Sequence, residues 1–146
     1  IIAAVEAKRE RDFVIIARTY AFAKEGLSLT INRSIQYVKA GADAIFVEAL
    51  TKIEQYRTIV DALPVPVLAN ITEFGQTPLF SLSELQEAGI QLVLYPLSAF
   101  RAMNKTATMV YRTIREKGTQ QDLLPIMQTR EELYDLLNYY DYERQV

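Results

Sequence analysis

The sequence contains no cysteine and no histidine. The first absence removes a disulfide framework, a thiolate nucleophile and sulfur-ligated metal; the second removes the commonest metal ligand and the commonest general base. Any chemistry carried by this chain therefore falls to carboxylates, Lys, Arg, Tyr and hydroxyls. Charge of one sign is not in excess either, since the formal net charge is −2 and no Lys/Arg-rich run occurs. Without a basic footprint to neutralise phosphates, nucleic acid is not an expected partner. The longest apolar runs, such as Phe13 to Ala17 and Leu92 to Leu97, fall far short of the ~20 residues of a transmembrane helix, and no charged-then-apolar signal segment opens the chain. The expectation is a cytoplasmic protein that does not engage a membrane.

What is present is an ordinary globular composition, 50% hydrophobic and 23% charged over 146 residues, enough to bury one core. The opening segment, Ile1 to Lys8, has an amphipathic helical pattern and no initiator Met. It is expected to belong to an excised or processed piece. Four short apolar runs follow: Phe13 to Thr19, Ala44 to Glu48, Val65 to Ile71 and Leu92 to Tyr95. Continuous rather than alternating apolarity is the pattern of parallel strands covered on both faces. Helical stripes lie between them. Ile31, Ile35 and Val38 form one, ended by Gly41; Ile53, Tyr56, Ile59, Val60 and Leu63 form the next, with Thr51 and Glu54 spaced as a capping box. Ser81 and Glu84 open a shorter helix that closes at Gly89. A long helix carries Phe100, Met103, Ala107, Val110 and Ile114 and stops at Gly118. Thr129 and Glu132 are spaced to cap one more in a tyrosine-rich tail.

The order is β-α-β-α-β-α-β-α, which builds either a doubly wound sheet or a (β/α)8 barrel. No strand is followed by the glycine-rich turn of a dinucleotide fold. A barrel instead gathers functional residues at the C-terminal ends of its strands. Arg18, Glu48, Asn70, Thr72 and Arg101 sit at such ends and are expected to converge on one rim. The planar fork of Arg suits a carboxylate. Two Arg with one Glu point to a small di- or tricarboxylate, with Glu48 placed to meet a hydroxyl or a metal-bound water. Each residue also has a purely structural role open to it: Arg18 as the salt-bridge partner of Glu48, Asn70 as a turn former, Thr72 as part of a loop that Glu73 to Gly75 continue.

Four segments carry a resemblance: ARTYA (Ala17 to Ala21), LANITEFGQTPLF (Leu68 to Phe80), LYPLSAFRAMN (Leu94 to Asn104) and MQTREELYDLLNYYDYE (Met127 to Glu143). They resemble the 2-methylisocitrate lyases of the isocitrate lyase and phosphoenolpyruvate mutase superfamily, and the likeness extends over essentially the whole chain. It implies an α/β fold, the C-terminal half (strands five to eight with their helices) of a TIM-type barrel over residues 1–118, followed by a helical tail over 119–146 that packs a homotetramer. It also implies carbon–carbon cleavage of 2-methylisocitrate to pyruvate and succinate in the methylcitrate cycle of propionate catabolism. The substrate-binding residues it implies are Arg18, Glu48, Asn70, Ile71, Thr72, Arg101 and Arg130. Phe46, Leu94 and Pro96 are implied to line a pocket for the substrate's methyl group. Mg2+ is the implied cofactor, its aspartate ligands and the Cys-Gly-His catalytic loop belonging to the other half of the barrel; Glu48 would reach the metal only through water. No catalytic residue is expected in the present half, and Tyr20 stands where that family usually carries an acid. A half barrel leaves two unpaired sheet edges, completed by the rest of an enzyme or by another copy. An inactive truncated remnant that acts only by association, or a related lyase of the superfamily (isocitrate lyase, or an oxaloacetate-type hydrolase or decarboxylase), are the alternative readings.

Overall fold

The computed structural model describes residues 1–144. It comprises two compact units, Ile1–Ser98 and a second from Ala99 onward. The first holds α1 (Ile2–Ala7), β1 (Ile16–Thr19), α2 (Phe22–Lys39), β2 (Ala44–Val47), α3 (Ile53–Ala62), β3 (Val67–Asn70), α4 (Leu82–Glu87) and β4 (Leu92–Leu94). All neighbouring strands are parallel and the spatial order is β1-β2-β3-β4. Such an order, stepping always in one direction with crossovers of one hand, keeps the connecting helices on one face of the sheet. A doubly wound sheet reverses direction at a switch point, and none is present here. The topology is that of half a (β/α)8 barrel.

Burial follows from this one-sided covering. Ala17 and Thr19 of β1, Ile45 and Val47 of β2, and Val67 and Ala69 of β3 point toward the helices and are buried. Their alternates Ile16, Arg18, Phe46, Leu68, Asn70, Leu92 and Leu94 lie on the other face, half-buried or exposed. In register, Arg18 stands beside Phe46, Phe46 beside Leu68, Leu68 beside Leu92 and Asn70 beside Leu94. The period-2 alternation thus segregates a core set from a site-bearing set.

Local chemistry accounts for where elements start and stop. The apolar run from Phe13 yields a strand only from Ile16, and Phe13 and Val14 are exposed. Pairing begins late because the Ile15 amide donates to the Asp43 carboxylate (2.8 Å) rather than to a strand. In α2 the stripe Ile31, Ile35 and Val38 is only half-buried, and the residues pressed fully against the core are Thr30 and Ser34. Their hydroxyls donate to the carbonyls of Gly26 and Thr30 at 2.8 Å each, so small polar side chains enter the core with their hydrogen bonds satisfied. The start of α3 also departs from the spacing argument: Gln55, not the Thr51–Glu54 pair, closes the cap by accepting the amides of Thr51 (2.9 Å) and Lys52 (3.0 Å). In α4 the Ser81–Glu84 capping box forms as its spacing predicts, with Ser81 N donating to Glu84 (2.7 Å) and Glu84 N to Ser81 (3.3 Å). Gly89 ends that turn at φ +82°, and a Cβ there would lie 2.9 Å from Val60 Cγ1.

The second unit continues α5 (Ser98–Lys117) and adds a 3-10 helix (Gln121–Ile126), α6 (Arg130–Leu136) and α7 (Tyr139–Glu143). The stripe Phe100, Met103 and Ile114 is exposed along α5. Gly118 terminates the helix at φ +69°. Thr129 and Glu132 form the expected capping box of α6. Tyr134 stacks on Tyr139 at 4.2 Å between centroids, and Tyr140 meets both edge-on. No helix among the described residues is long and apolar enough to cross a membrane.

Candidate functional site

Three strand ends bring three polar side chains together on the uncovered face. Arg18 projects from β1, Glu48 follows the last residue of β2, and Asn70 ends β3. Arg18 Nη2 donates to Glu48 Oε2 at 2.6 Å. Asn70 Nδ2 approaches the same carboxylate at 3.4 and 3.5 Å. The side chain of Arg18 is 43% exposed and that of Glu48 only 17%, so the carboxylate is the sheltered partner. Immediately after Glu48 the backbone turns through Ala49 at φ +65°, a left-handed conformation unfavourable for a residue with a Cβ. That turn ends β2 and leaves Glu48 at the rim. Beneath the rim the buried Tyr56 phenol is pushed up to about 12 by desolvation, with the negative Glu48 adding to the shift and the Thr77 hydroxyl opposing it.

Arg18 is held by rings as well as by charge. Its Cζ lies 4.4 Å from the centroid of Phe46 and 4.6 Å from that of Tyr20. Phe46 is the lateral neighbour in register, and Tyr20 is two residues onward along the chain. The acceptor side of Asn70 is different: Oδ1 is buried without a hydrogen-bond partner among the described residues. An orphaned buried acceptor costs about 1–3 kcal/mol, a cost removed when a ligand donor reaches it. The cluster therefore offers a guanidinium with donors to spare, one carboxylate already balanced by that cation, and one unmet acceptor. A small molecule with a carboxylate and a hydroxyl meets these demands.

The remaining residues singled out from the sequence are placed as follows. Ile71 is 3% exposed in the core, and its amide donates to the Leu94 carbonyl at 2.9 Å, so neither its side chain nor its N–H faces the cluster. Thr72 is half-buried, and a Cβ added at Gly75 would lie 3.1 Å from its methyl and 3.3 Å from its carbonyl oxygen. Leu94 stands opposite Asn70 in register, and Pro96 is exposed in the loop after β4. Arg101 and Arg130 belong to the second unit, in the first turn of α5 and at the start of α6. Two features escaped the sequence reading: the ring of Tyr20 over Arg18, and a hydrogen bond from Ser98 to Glu73 in the loop after β3. The first was within reach, because an aromatic two residues beyond a strand-end Arg is close enough in the chain to meet the cation.

Among the described residues no three carboxylates gather as a metal site. Glu48, with the Arg18 cation against it, does not form one by itself. The described residues thus do not fit Mg2+ unaided.

Comparison with known proteins agrees with this topology. The family model described as phosphoenolpyruvate phosphomutase matches residues 1–115. The chain belongs to that family. Within the phosphoenolpyruvate phosphomutase family it is similar to the 2-methylisocitrate lyase of Escherichia coli (strain K12), with 55% identity over 144 residues, 99% of this chain and 49% of that protein. Among solved structures it is similar to 2,3-dimethylmalate lyase, with TM-score 0.81, 28% identity and coverage of 99% of this chain and 52% of the other. Phosphonopyruvate hydrolase in complex with oxalate and Mg2+ gives TM-score 0.78 and 26% identity, covering 98% and 51%. The chain spans about half the length of the curated relatives it matches.

Proposed function

We propose that the protein carrying this chain is a carbon–carbon lyase that cleaves 2-methylisocitrate to pyruvate and succinate, and that this chain supplies one half of its site. The observation that carries the reading is the 55% identity to a 2-methylisocitrate lyase over 99% of the chain. The geometry supports it. Arg18 offers the donors for a substrate carboxylate, Asn70 Oδ1 accepts from a substrate hydroxyl, and Glu48 holds Arg18 in place at 2.6 Å. In this reading Thr72 adds a further contact to the substrate, and Arg101 and Arg130 are assigned to substrate binding from the sequence alone. Ile71 contributes through its carbonyl at most, its amide being taken by Leu94. Phe46 and Leu94, on the same sheet face as Arg18, together with Pro96 shape the space for the extra methyl group.

Mg2+ enters the proposal as a cofactor with its ligands outside this chain, in keeping with the phosphonopyruvate hydrolase complex. This chain's own contribution is to bind and orient a carboxylate. In this reading the proton donor is the cysteine that the resemblance assigns to the other half of the barrel, a residue type this sequence lacks. The proposal extends to barrel residues 1–118 and a tail, 119–146, that joins copies of the protein into a homo-oligomer.

The test is Arg18→Lys in the full-length protein. Lys keeps the charge but loses the bidentate fork, so turnover of 2-methylisocitrate should fall about 10- to 100-fold with the thermal midpoint little changed. Unchanged turnover would refute the carboxylate role of Arg18, and a preference for isocitrate over 2-methylisocitrate would refute the methyl pocket.

A further inference from the structure

We infer that Tyr20 is a positioning residue: with Phe46 it cradles the Arg18 guanidinium so that its N–H edge is presented, pre-oriented, to a ligand carboxylate. The inference rests on the proposed carboxylate role of Arg18 and adds to it a residue that no part of that reading requires. Its basis is the coincidence of three contacts on one cation. The Phe46 ring lies 4.4 Å and the Tyr20 ring 4.6 Å from Arg18 Cζ, while Glu48 takes one in-plane N–H at 2.6 Å.

A guanidinium is planar, with π-faces above and below and donors only around its edge. The rings attract the cation at Cζ, 4.4 and 4.6 Å from their centroids, while Glu48 takes an N–H of its edge, so the contacts do not compete. Together they restrict the long side chain's rotamers before any ligand arrives, and so lessen the ordering cost that binding would otherwise carry. Arg is suited to this and Lys is not, because an ammonium cannot be gripped by its face while donating a fork.

Tyr20 itself has no other evident task in the fold. It is 59% exposed, a large exposed aromatic, and lies immediately beyond the end of β1. A ring so placed gains little from burial. What holds it over Arg18 is the cation, 4.6 Å from the ring centroid.

The test uses the full-length protein, with succinate as the probe, in four forms: parent, Tyr20→Phe, Tyr20→Leu and Arg18→Lys. Loss of the ring should weaken succinate binding about 3- to 30-fold by calorimetry, the range spanned by cation–π contacts from exposed to desolvated. Tyr20→Phe, which restores the ring without the hydroxyl, should recover affinity relative to Tyr20→Leu. A second readout follows Arg18 directly: its modification by phenylglyoxal, mapped by mass spectrometry, should accelerate several-fold in Tyr20→Leu and return toward the parent rate in Tyr20→Phe. A merely structural tyrosine would not move that rate at Arg18 alone. Should the Leu variant aggregate, Tyr20→Gln serves at the same exposed position.

Succinate affinity in the ring-less variants within twofold of the parent, alongside a loss in Arg18→Lys, overturns the role of Tyr20 and leaves that of Arg18 standing. Equal weakening by Phe and Leu also overturns it, since the hydroxyl rather than the ring would then matter. Unchanged affinity in Arg18→Lys overturns the carboxylate clamp and the inference with it.

Discussion

Replacing Glu48 by Gln removes one charge while keeping the shape of the side chain, and so separates the two roles open to it. Arg18 Nη2 and Glu48 Oε2 are 2.6 Å apart, with the side chains 43% and 17% exposed. Two unit charges near a protein surface attract with about 4 kcal/mol at 4 Å before desolvation is counted. Solvent reaches nearly half of Arg18, so screening and desolvation should reduce the net value to about 1 kcal/mol. Arg18 would keep its two aromatic neighbours and its water after the change, and Gln retains an oxygen that accepts from Asn70. Urea denaturation followed by circular dichroism should therefore show a loss of about 1–2 kcal/mol with an unchanged slope. Turnover of 2-methylisocitrate by the full-length protein should fall much further, on the order of 100-fold, the scale of removing one preorganised polar group from a site. A stability loss above about 3 kcal/mol, which is the signature of an abandoned buried charge, together with parent-like turnover, would show that Glu48 only braces the sheet.

Gly89→Ala and Gly118→Ala form a matched pair. Both glycines have positive φ, but a Cβ at Gly89 meets Val60 at 2.9 Å whereas one at Gly118 meets nothing within 4 Å. Denaturation should give about 2–3 kcal/mol of loss for the first and about 1 for the second; equal losses would remove the Val60 contact from the explanation. The Asp43 carboxylate is held below its ordinary range by the Ile15 amide first and by Lys8 second. A lowered folded value stabilises the protein fully above the ordinary carboxylate range and loses that stabilisation as pH falls through the lowered value. Asp43→Asn should accordingly flatten the acid limb of the stability profile, and an unaltered limb would refute this. Removal of residues from Thr119 onward takes away exposed Leu124, Ile126, Leu133, Leu136, Leu137, Tyr140 and Tyr142. Light scattering after size exclusion should show smaller assemblies, and an unchanged, soluble oligomer would refute the proposed role of the tail.

The sequence by itself determined the order and kind of the elements. Apolar runs bounded by glycines and capping boxes are local information, and Ser81 with Glu84, Thr129 with Glu132, and Gly118 behave as their spacing dictates. It also isolated Arg18, Glu48 and Asn70, because charged and amide groups at the ends of apolar strands have few reasons to be there other than pairing or binding. Local spacing failed where another partner took the amide, a residue one position along the same helix for α3 and a distant carboxylate for β1. Gln55 displaced Glu54 at the start of α3, and the Asp43 carboxylate took the amide that would have lengthened β1. Only the assembled sheet decided which residues turn inward: Thr30 and Ser34 lie against the core because their hydroxyls are satisfied by their own helix, and Ile71 is withdrawn from the rim because its amide belongs to β4. The register of β1 on β2 likewise brought Phe46 beside Arg18, and with Tyr20 made an aromatic cradle of residues that read separately as lining of a methyl pocket and as a substitution. Period and capping are properties of a segment, whereas the company a side chain keeps depends on which segments the fold makes neighbours.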